Sequence, residues 1–429
     1  MRLGGRLTAA IEILEDINTY KKTVTNAIKD WGVSHRFAGS SDRASISNIV
    51  YDVLRKRLSS AYIMDDESPS NLVYAVIIKE WNIPFEEISS ILQGDRFAPP
   101  LPKESIIASL NSRQLENAPL HIQGNIPEWL LSSIQSNFNS NWLAEAKSLS
   151  TRPPLDLRTN TLKVSRQKLF NNLKCHNVHL SPISRLGIRI PATTKTSRLP
   201  NITNEISFQR GWFEVQDEGS QIVSDLSANR SGSQILDFCA GGGGKTLALA
   251  MLLNNKGQIH AWDKNKSRIK PIVSRIKRSG AHNIQLHSSL ESLQKLRDHF
   301  TTVVVDAPCS GTGTWRRRPD IKWRLSMKSL TERIEEQKNI ITEASKFVRP
   351  GGYLIYITCS ILPEENIQQI HNFLAHKPYF SIDSIVDDWN DLYGTERQQP
   401  LFTENGCCTL TPFSTNTDGF FFCRLKRNY

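Results

Sequence analysis

Two cysteines stand just after two apolar runs of the sequence, each run of the kind that forms a buried strand. Cys309 follows the run Thr302–Asp306, which ends in an acid, and Cys359 follows Tyr353–Thr358. Consecutive strands of a parallel sheet are usually neighbours, and ligands bind at their carboxyl ends. The spacing therefore predicts two thiols facing one cleft beside Asp306.

Methylation of C5 of cytosine needs this set of groups. C5 is a poor nucleophile until a thiolate adds to C6 and turns the ring into an enamine, which can attack a sulfonium methyl group. An acid near N3 stabilises the adduct. The thiolate needs an electropositive, partly exposed setting, which Lys245 could supply. A single free cysteine is more often a small core residue, but two at adjacent strand ends beside Asp306 favour catalysis.

A glycine-rich segment, Cys239–Thr246, follows a third strand-like run and leads into a helical pattern. A phosphate-binding loop would need glycine at Cys239, and a dinucleotide fingerprint would need it at Thr246. Asp263 lies 19 residues after Gly244, close to the offset of a carboxylate that accepts ribose hydroxyls. A nucleoside cofactor such as S-adenosylmethionine suits this pattern; the alternative is a tight turn without a ligand.

Strand and helix patterns alternate over residues 216–429 and must position these groups. The predicted strands are Gln234–Phe238, Gln258–Asp263, Ile284–His287, Thr302–Asp306 and Tyr353–Thr358. Strands separated by helices predict a doubly wound parallel sheet, that is, an α/β Rossmann-like domain.

Two further regions precede that domain. Residues 1–145 read as a helical domain, and the pattern of Pro127–Ser148 predicts one more helix at its end. Residues 150–215 read as a small α+β module that links the two domains. The module's predicted elements are the strands Leu155–Arg158, Gly187–Ile190 and Ile206–Phe208 and the helix Gln167–Leu173.

Charge is distributed unevenly along the 429 residues. The net charge is +11, of which residues 1–150 contribute −2 and the remainder +13. A basic half suggests a polyanionic partner such as nucleic acid, although a merely soluble basic enzyme fits equally well. Seven scattered cysteines without a C-x-x-C pair predict free thiols, no metal site and a reducing cytoplasm. The absence of an 18-residue apolar run predicts no membrane partner, and we expect a monomer.

A cationic and aromatic stretch, Trp315–Arg324, follows the Cys309 segment. It combines charges that pair with phosphates and rings that stack on bases, as single-stranded RNA binding requires. A solvated surface is the alternative. The residues predicted to contact RNA are Arg316, Arg317, Arg318, Lys322 and Trp323.

The sequence resembles a known family at these motifs. Asp306–Gly311 and Thr358–Ser360 resemble the paired signatures of the NOL/NOP/sun RNA cytosine-5 methyltransferases. Four further segments are similar to the bacterial RsmB (Sun/Fmu) group, namely Gln216–Gln221, Arg317–Trp323, Leu362–Asn366 and Asp418–Phe421. The N-terminal region resembles, more loosely, the NusB-like RNA-binding helical domain of that group through Arg36–Gly39, Asp42–Arg43 and Val50–Arg55.

The resemblance implies a class I methyltransferase fold and S-adenosylmethionine as the cofactor. Cys359 would be the nucleophile, Cys309 would assist product release, and Asp306 would contact base and cofactor, with Lys245 beside them. The implied cofactor contacts are Cys239, Ala240, Gly241, Gly242, Gly243, Gly244, Lys245, Asp263, Ser288 and Asp306. Ser288 stands where the family usually has an aspartate for the adenine amino group, so its hydroxyl would accept that bond without charge assistance.

The implied substrate is 16S ribosomal RNA at the 967-type cytosine. Two alternatives stay open. A non-catalytic RNA-binding ribosome-assembly factor could keep the same fold, and a DNA cytosine-5 methyltransferase would use Cys309 as its nucleophile. The second thiol, Cys359, favours RNA over DNA.

Overall fold

The computed structural model describes residues 1–229 and 232–429, which group into two compact units. The first unit comprises Met1–Pro153, Ala192–Leu199 and Thr314–Leu325. The second comprises Pro154–Pro191, Pro200–Gly313 and Ser326–Tyr429. The second unit therefore includes most of the small module together with the C-terminal sheet. The predicted boundaries near residues 145 and 215 stay predictions.

Helices form the first unit. They are α1 (Leu3–Tyr20), α2 (Val24–Ser34), α3 (Ser40–Arg55), α4 (Arg57–Met64), α5 (Pro69–Lys79), α6 (Phe85–Leu92), α7 (Glu104–Ser112), α8 (Leu120–Gln123), α9 (Leu131–Phe138) and α10 (Trp142–Ser148). Helix α3 shows why the sequence folds this way, because Ile46, Ile49, Val50 and Val53 recur at helical spacing and all are buried. They pack in one apolar core with side chains of α1 and α5.

The helix predicted over Pro127–Ser148 is interrupted. Helix α9 ends at Phe138, and Asn139 has a positive φ of 46° that an α-helix cannot contain. A short 3₁₀ turn then leads into α10. Asparagine tolerates this left-handed region better than most residues, so the break has a local cause that helical periodicity does not reveal.

An antiparallel sheet in the order β2-β3-β1-β4 forms the core of the small module. Its elements are β1 (Leu155–Thr159), α11 (Arg166–Asn172), β2 (His179–Leu180), β3 (Gly187–Ile190), α12 (Ile206–Gln209) and β4 (Phe213–Val215). The strand predicted over Ile206–Phe208 is wrong, since these residues begin α12. The amides of Arg210 and Gly211 bond back to this segment, and Gly211, at φ 73°, ends the turn.

A mixed sheet in the order β11-β12-β13-β9-β8-β5-β6-β7 forms the centre of the second unit, with β10 paired to β13. The remaining elements of this unit are α13 (Glu218–Asn229), β5 (Gln234–Asp237), α14 (Gly244–Leu252), β6 (Gln258–Ala261), α15 (Lys266–Ile269), α16 (Ile272–Ser279), β7 (Ile284–Leu286), α17 (Glu291–Gln294), β8 (Phe300–Asp306), α19 (Met327–Ser345), β9 (Val348–Thr358), α20 (Ile367–His376), β10 (Phe380–Ile382), α21 (Val386–Tyr393), β11 (Leu401–Phe402), β12 (Cys408–Leu410) and β13 (Phe420–Arg427). Helix α18 (Pro319–Arg324) lies between α17 and α19 in the chain and belongs to the first unit.

The strand order reverses between β5 and β8. From β5 the chain proceeds outward through β6 and β7, and it then returns to β8 on the other side of β5, all in parallel. Such a switch point opens a crevice at the carboxyl ends of the strands. The five predicted strands and the predicted fold class are confirmed: a helical N-terminal part, an α+β module and a Rossmann-like sheet. Within the described residues, no helix is both long and apolar enough to cross a membrane.

Candidate active site

The two predicted cysteines lie side by side. Cys309 Sγ is 3.4 Å from Cys359 Sγ, within hydrogen-bonding distance for sulfur, and both side chains are partly buried. Strands β8 and β9 bring them together, because they are parallel neighbours in which Asp306 stands opposite Ile357. Both thiols can therefore reach one small substrate in the crevice.

The surroundings of Cys309 favour the protonated form of its thiol. The hydrogen bond with Cys359 raises the pKa of Cys309 well above its ordinary value, and burial and the neighbouring sulfur charge raise this pKa further. At neutral pH the Cys309 sulfur therefore keeps its proton and can donate it to the Cys359 sulfur.

Lys245 forms an ion pair with Asp306, the last residue of β8, three residues before Cys309. Lys245 Nζ lies 2.6 Å from Asp306 Oδ2, and the lysine side chain is almost entirely buried at the start of α14. Its ammonium group also lies 5.4 Å from the centre of the Phe420 ring. The positive charge of Lys245 is therefore paired with the Asp306 carboxylate. Activation of a thiolate by Lys245 stays a prediction.

The glycine loop after β5 requires glycine for two separate reasons. Gly243 has a φ of 82°, and a Cβ atom there would lie 2.3 Å from the Cγ1 atom of Ile272 in α16. Gly241 has a φ of 48°, and its amide donates to Asp263 Oδ2 at 2.9 Å. The loop consequently sits tightly between α16 and the end of β6.

Asp263 is placed to accept further hydrogen bonds. Its carboxylate already accepts the amides of Gly241 and, at 2.8 Å, Asn265. A carboxylate has about four acceptor positions, so two remain for ribose hydroxyls. A cavity of about 1030 Å³ opens beside it, and its lining includes Cys239, Trp262 and Leu290. This size and mixture of apolar and polar groups fit a nucleoside cofactor.

The residues after the third predicted strand differ in their position relative to the cavity. Ser288 is exposed and is not among the described residues that line the cavity, whereas Leu290, two residues later, is. The lining therefore gives no support to an adenine contact at Ser288. A buried carboxyl that sequence reasoning did not assign, Asp237, accepts the Thr246 hydroxyl at 2.6 Å. Burial raises the pKa of Asp237 to about 7.

Two arginine side chains donate hydrogen bonds to backbone carbonyls of the glycine loop. Arg275 of α16 donates to the Gly242 carbonyl and also pairs with Glu214 of β4 at 3.0 Å. Arg158 of β1 is buried and donates to the Gly244 carbonyl at 2.8 Å. The small module thus supports the backbone of the glycine loop, a link that no local sequence signal indicates.

The Cys309 segment is fixed where it passes Cys359. The Gly313 amide donates to the Cys359 carbonyl at 3.0 Å, and the Gly419 amide donates to the Gly313 carbonyl at 2.8 Å. A Cβ atom on Gly313 would lie 2.3 Å from the Gly419 carbonyl oxygen. Only glycine fits this approach, which explains the glycines at positions 313 and 419.

The cationic stretch Trp315–Arg324 is mostly not a free surface. Lys322 is 0% exposed and donates to the Asn125 carbonyl at 2.8 Å and the Ser150 hydroxyl at 3.1 Å, within the first unit. Arg316 is also buried, and Trp323 donates to the Leu54 carbonyl at 2.7 Å. Phosphate contacts at Arg316 and Lys322 are therefore not supported. Arg318 is exposed and Arg317 partly so, and both stay predictions.

A second cationic stretch escaped the sequence reasoning. Residues 264–278 carry seven lysines and arginines, and no acid follows Asp263 until Glu291. Lys264, Lys266 and Arg268 are exposed and also line the cavity beside Asp263. The acid-free run was the signal that could have found this surface.

Two families match separate parts of the chain. The family described as "16S rRNA methyltransferase RsmB/F" matches residues 226–426. A second family, described as "Methyltr_RsmF/B-like, ferredoxin-like domain", matches residues 126–196.

Relatives in bacteria match much of the chain. The chain is 32% identical over 308 residues to ribosomal RNA small subunit methyltransferase B of Cronobacter sakazakii. The aligned part covers 70% of this chain and 66% of that protein, just under two thirds of its length. The chain is 30% identical over 321 residues to the probable methyltransferase B of Synechocystis, covering 73% and 69%. The Shewanella oneidensis protein of that name is 28% identical over 412 residues, covering 91% and 92%.

Solved structures share the fold. The crystal structure of PH0851 superposes with a TM-score of 0.74 at 24% identity, covering 99% of this chain and 100% of that one. A methyltransferase homologue from Pyrococcus horikoshii superposes with a TM-score of 0.58 at 23% identity, covering 72% and 97%. At these identities the likeness supports the architecture alone.

Proposed function

The chain belongs to the family of 16S rRNA methyltransferases RsmB/F, and from that premise we propose that it methylates C5 of a cytosine in small-subunit ribosomal RNA. The 967-type position is the proposed site. S-adenosylmethionine, when bound, supplies an electrophilic sulfonium methyl group. The observation that carries the proposal is the Cys309–Cys359 pair, with sulfur atoms 3.4 Å apart at the ends of two parallel strands.

The residues present fit such a cofactor. The free acceptor positions of Asp263 suit ribose hydroxyls, and the cavity beside it has apolar walls at Trp262 and Leu290 for a flat base. The glycine loop allows close approach to the backbone, because two of its residues have positive φ.

In the first half of the proposed reaction, Cys359 is the nucleophile. Its thiolate would form a bond to C6 of the cytosine, and the electron pair moved to C5 would form the new bond to the methyl group. The methyl group's bond to the sulfonium sulfur would break at the same time, and its electron pair would stay on that sulfur. The Asp306 carboxyl group, held by Lys245 at 2.6 Å, stands three residues before Cys309 and interacts with the base near N3. Lys245 keeps that carboxyl group oriented.

In the second half, Cys309 assists release. The C5 proton must leave, its electron pair re-forms the C5–C6 double bond, and the bond from Cys359 sulfur to C6 breaks. While Cys359 sulfur is bonded to C6 it cannot hydrogen-bond as a free thiol or carry charge. The main cause that raises the pKa of Cys309 then disappears, so Cys309 ionises more easily at the stage when a base is needed.

RNA phosphates are proposed to contact the second cationic stretch. Lys264, Lys266, Lys270 and Lys277 are exposed there, and the first two lie at the rim of the cavity. A run of cations without acids is the electrostatic pattern of a nucleic-acid surface.

Methyl transfer is tested with unmodified small-subunit rRNA and labelled S-adenosylmethionine, followed by bisulfite mapping of the product. One protected cytosine is expected. No transfer by the intact protein would favour the non-catalytic assembly factor, and transfer to DNA in preference to RNA would favour the DNA enzyme.

The thiol roles are tested by trapping. Cys359→Ala should abolish transfer, because no nucleophile remains. Cys309→Ala should complete attack but stall release, so a covalent RNA complex should survive denaturing electrophoresis, and the double variant should show no such band. Trapping by Cys359→Ala instead would reverse the assignment.

A further inference from the structure

Two consecutive residues after β9, Glu365 and Asn366, contact both cysteine segments. Both are buried, at 0% and 3% exposed, in the turn that leads into α20. Neither side chain takes part in the reaction steps proposed for the two cysteines. Removal of a carboxylate from water costs free energy unless hydrogen bonds compensate it. The hydrogen-bond partners of Glu365 therefore indicate what this buried side chain does.

Glu365 holds the segment that carries Cys309. Its Oε1 atom accepts the amide of Ser310 at 2.8 Å and the Nε2–H of Gln337 at 2.9 Å. Its Oε2 atom accepts the Ser310 hydroxyl at 2.5 Å. Gln337 of α19 also donates to the Pro308 carbonyl at 3.0 Å. The residues on both sides of Cys309 are therefore tied, directly or through Gln337, to one carboxylate.

Asn366 holds the segment that carries Cys359. Its Oδ1 atom accepts the Thr358 hydroxyl at 2.6 Å, and its Nδ2–H donates to the Ser360 carbonyl at 2.9 Å. Thr358 and Ser360 are the residues immediately before and after Cys359. Each of two adjacent side chains thus brackets a different cysteine.

We propose that Glu365 and Asn366 are positioning residues with separate tasks in the reaction, Glu365 for the release step of Cys309 and Asn366 for the attack of Cys359. This inference rests on the proposed function and deepens it. The short turn between β9 and α20 fixes the spacing of the two bracketing side chains, and through them the 3.4 Å separation of the sulfur atoms. Misplacement of a reacting group by about 1 Å can slow a reaction by about 10²-fold.

The glutamate also acts electrostatically on Cys309. Its charge is one of the causes that raise the pKa of that thiol. Once the hydrogen bond to Cys359 is lost in the adduct, Glu365 still raises the basicity of the Cys309 sulfur, which strengthens it as a proton acceptor. Asn366 is neutral and has no such effect, so the two side chains differ in charge as well as in position.

The test compares Glu365→Ala and Asn366→Ala on rRNA with S-adenosylmethionine, with the covalent RNA complex measured by denaturing electrophoresis. Glu365→Ala should accumulate the complex, as Cys309→Ala does, with turnover reduced roughly tenfold or more. Asn366→Ala should instead form the complex slowly. Gln368→Ala, an exposed change in the first turn of α20, is the matched control and should behave as the unaltered protein.

Combination with Cys309→Ala separates positioning from general damage. In that background Glu365→Ala should change the rate of complex formation little, because release is already blocked, whereas Asn366→Ala should slow it about tenfold or more. Binding of S-adenosylmethionine by calorimetry should stay within about twofold for both, since neither side chain lines the cofactor cavity. If Glu365→Ala does not fold, Glu365→Gln carries the test: it retains an acceptor for the Ser310 amide, and it should trap a smaller fraction of the RNA.

The same defect in both single variants, whether lost cofactor binding or lost attack, would overturn the division of tasks. So would trapping by Cys309→Ala without trapping by either Glu365 variant, which would leave the proposed function standing. Failure of Cys309→Ala itself to trap RNA would refute the proposed function first, and the two failures are therefore distinguishable.

Discussion

The stretches Trp315–Arg324 and Lys264–Arg278 both mix cations with apolar side chains, yet the first is largely buried and the second largely exposed. In the first, Lys322 finds a carbonyl and a hydroxyl as acceptors, and its ammonium group lies 5.2 and 5.3 Å from the rings of Trp315 and Trp323. Cations are buried where distant parts of the fold supply such partners.

In the second stretch, internal acceptors bind the arginines at its C-terminal end. Glu214 accepts both Arg275 and Arg278, and the lysines of the stretch project into solvent. The comparison teaches that the density of charge in a sequence does not decide between a structural and an RNA-binding role. The decision depends on acceptors that lie up to 197 residues away, as the Lys322–Asn125 bond does.

Loss of the buried lysine should have the largest effect on stability. Lys322→Ala leaves a cavity and an unpaired carbonyl, so the free energy of unfolding of the first unit should fall by roughly 2–4 kcal/mol. Denaturant unfolding followed by tryptophan fluorescence measures this change. Arg324→Ala, exposed on the same helix, is the matched control and should stay within about 0.5 kcal/mol. Equal stability of the two variants would contradict the structural role.

Loss of the exposed lysines should weaken RNA binding and leave stability nearly unchanged. Replacing Lys264, Lys266, Lys270 and Lys277 by alanine removes up to four phosphate contacts, and the slope of log affinity against log salt should fall by about 2.8 at about 0.7 per contact. Filter binding at several salt concentrations measures it. Arg324→Ala is the control from the other stretch, and a larger change there would reverse the comparison.

A pH series should reveal the charge state of the buried lysine. Burial, helped by the charges of Lys56 and Arg55, lowers the pKa of Lys322 from 10.5 to about 7. Between these values the unfolded chain binds a proton that the folded chain does not, so stability rises with pH over this window, by up to about 1.4 kcal/mol per pH unit. The advantage of the unaltered protein over Lys322→Met should grow from pH 7 to pH 9. A constant difference would mean that Lys322 is charged in the fold.

The sequence predicted the parts of the fold that depend on local pattern and strand adjacency. The five strands of the Rossmann-like sheet and the meeting of Cys309 with Cys359 follow from apolar runs that end in functional residues, since parallel neighbours align their carboxyl ends. The ion pair of Lys245 with Asp306 joins the glycine-rich segment to the segment that carries Cys309.

The rest could not be predicted because its causes are not local. Ile206–Phe208 is apolar enough for a strand, but the turn at Gly211 makes it a helix. Ser288 is exposed, whereas Leu290, two residues later, lines the cavity, and an adenine contact at Ser288 stays a prediction. Glu365 gave no signal of its role, because its partners Ser310 and Gln337 are 55 and 28 residues away.

The segment Thr314–Leu325 packs with the first unit although it is encoded inside the second. No single cut in the gene therefore separates the two units intact. A truncated protein that begins at Pro154 would carry Trp323 without the apolar core of the first unit, against which this side chain packs in the whole chain. Recombination could exchange either unit between relatives only by transferring two or more separate pieces together, so the two units are constrained to be inherited as one.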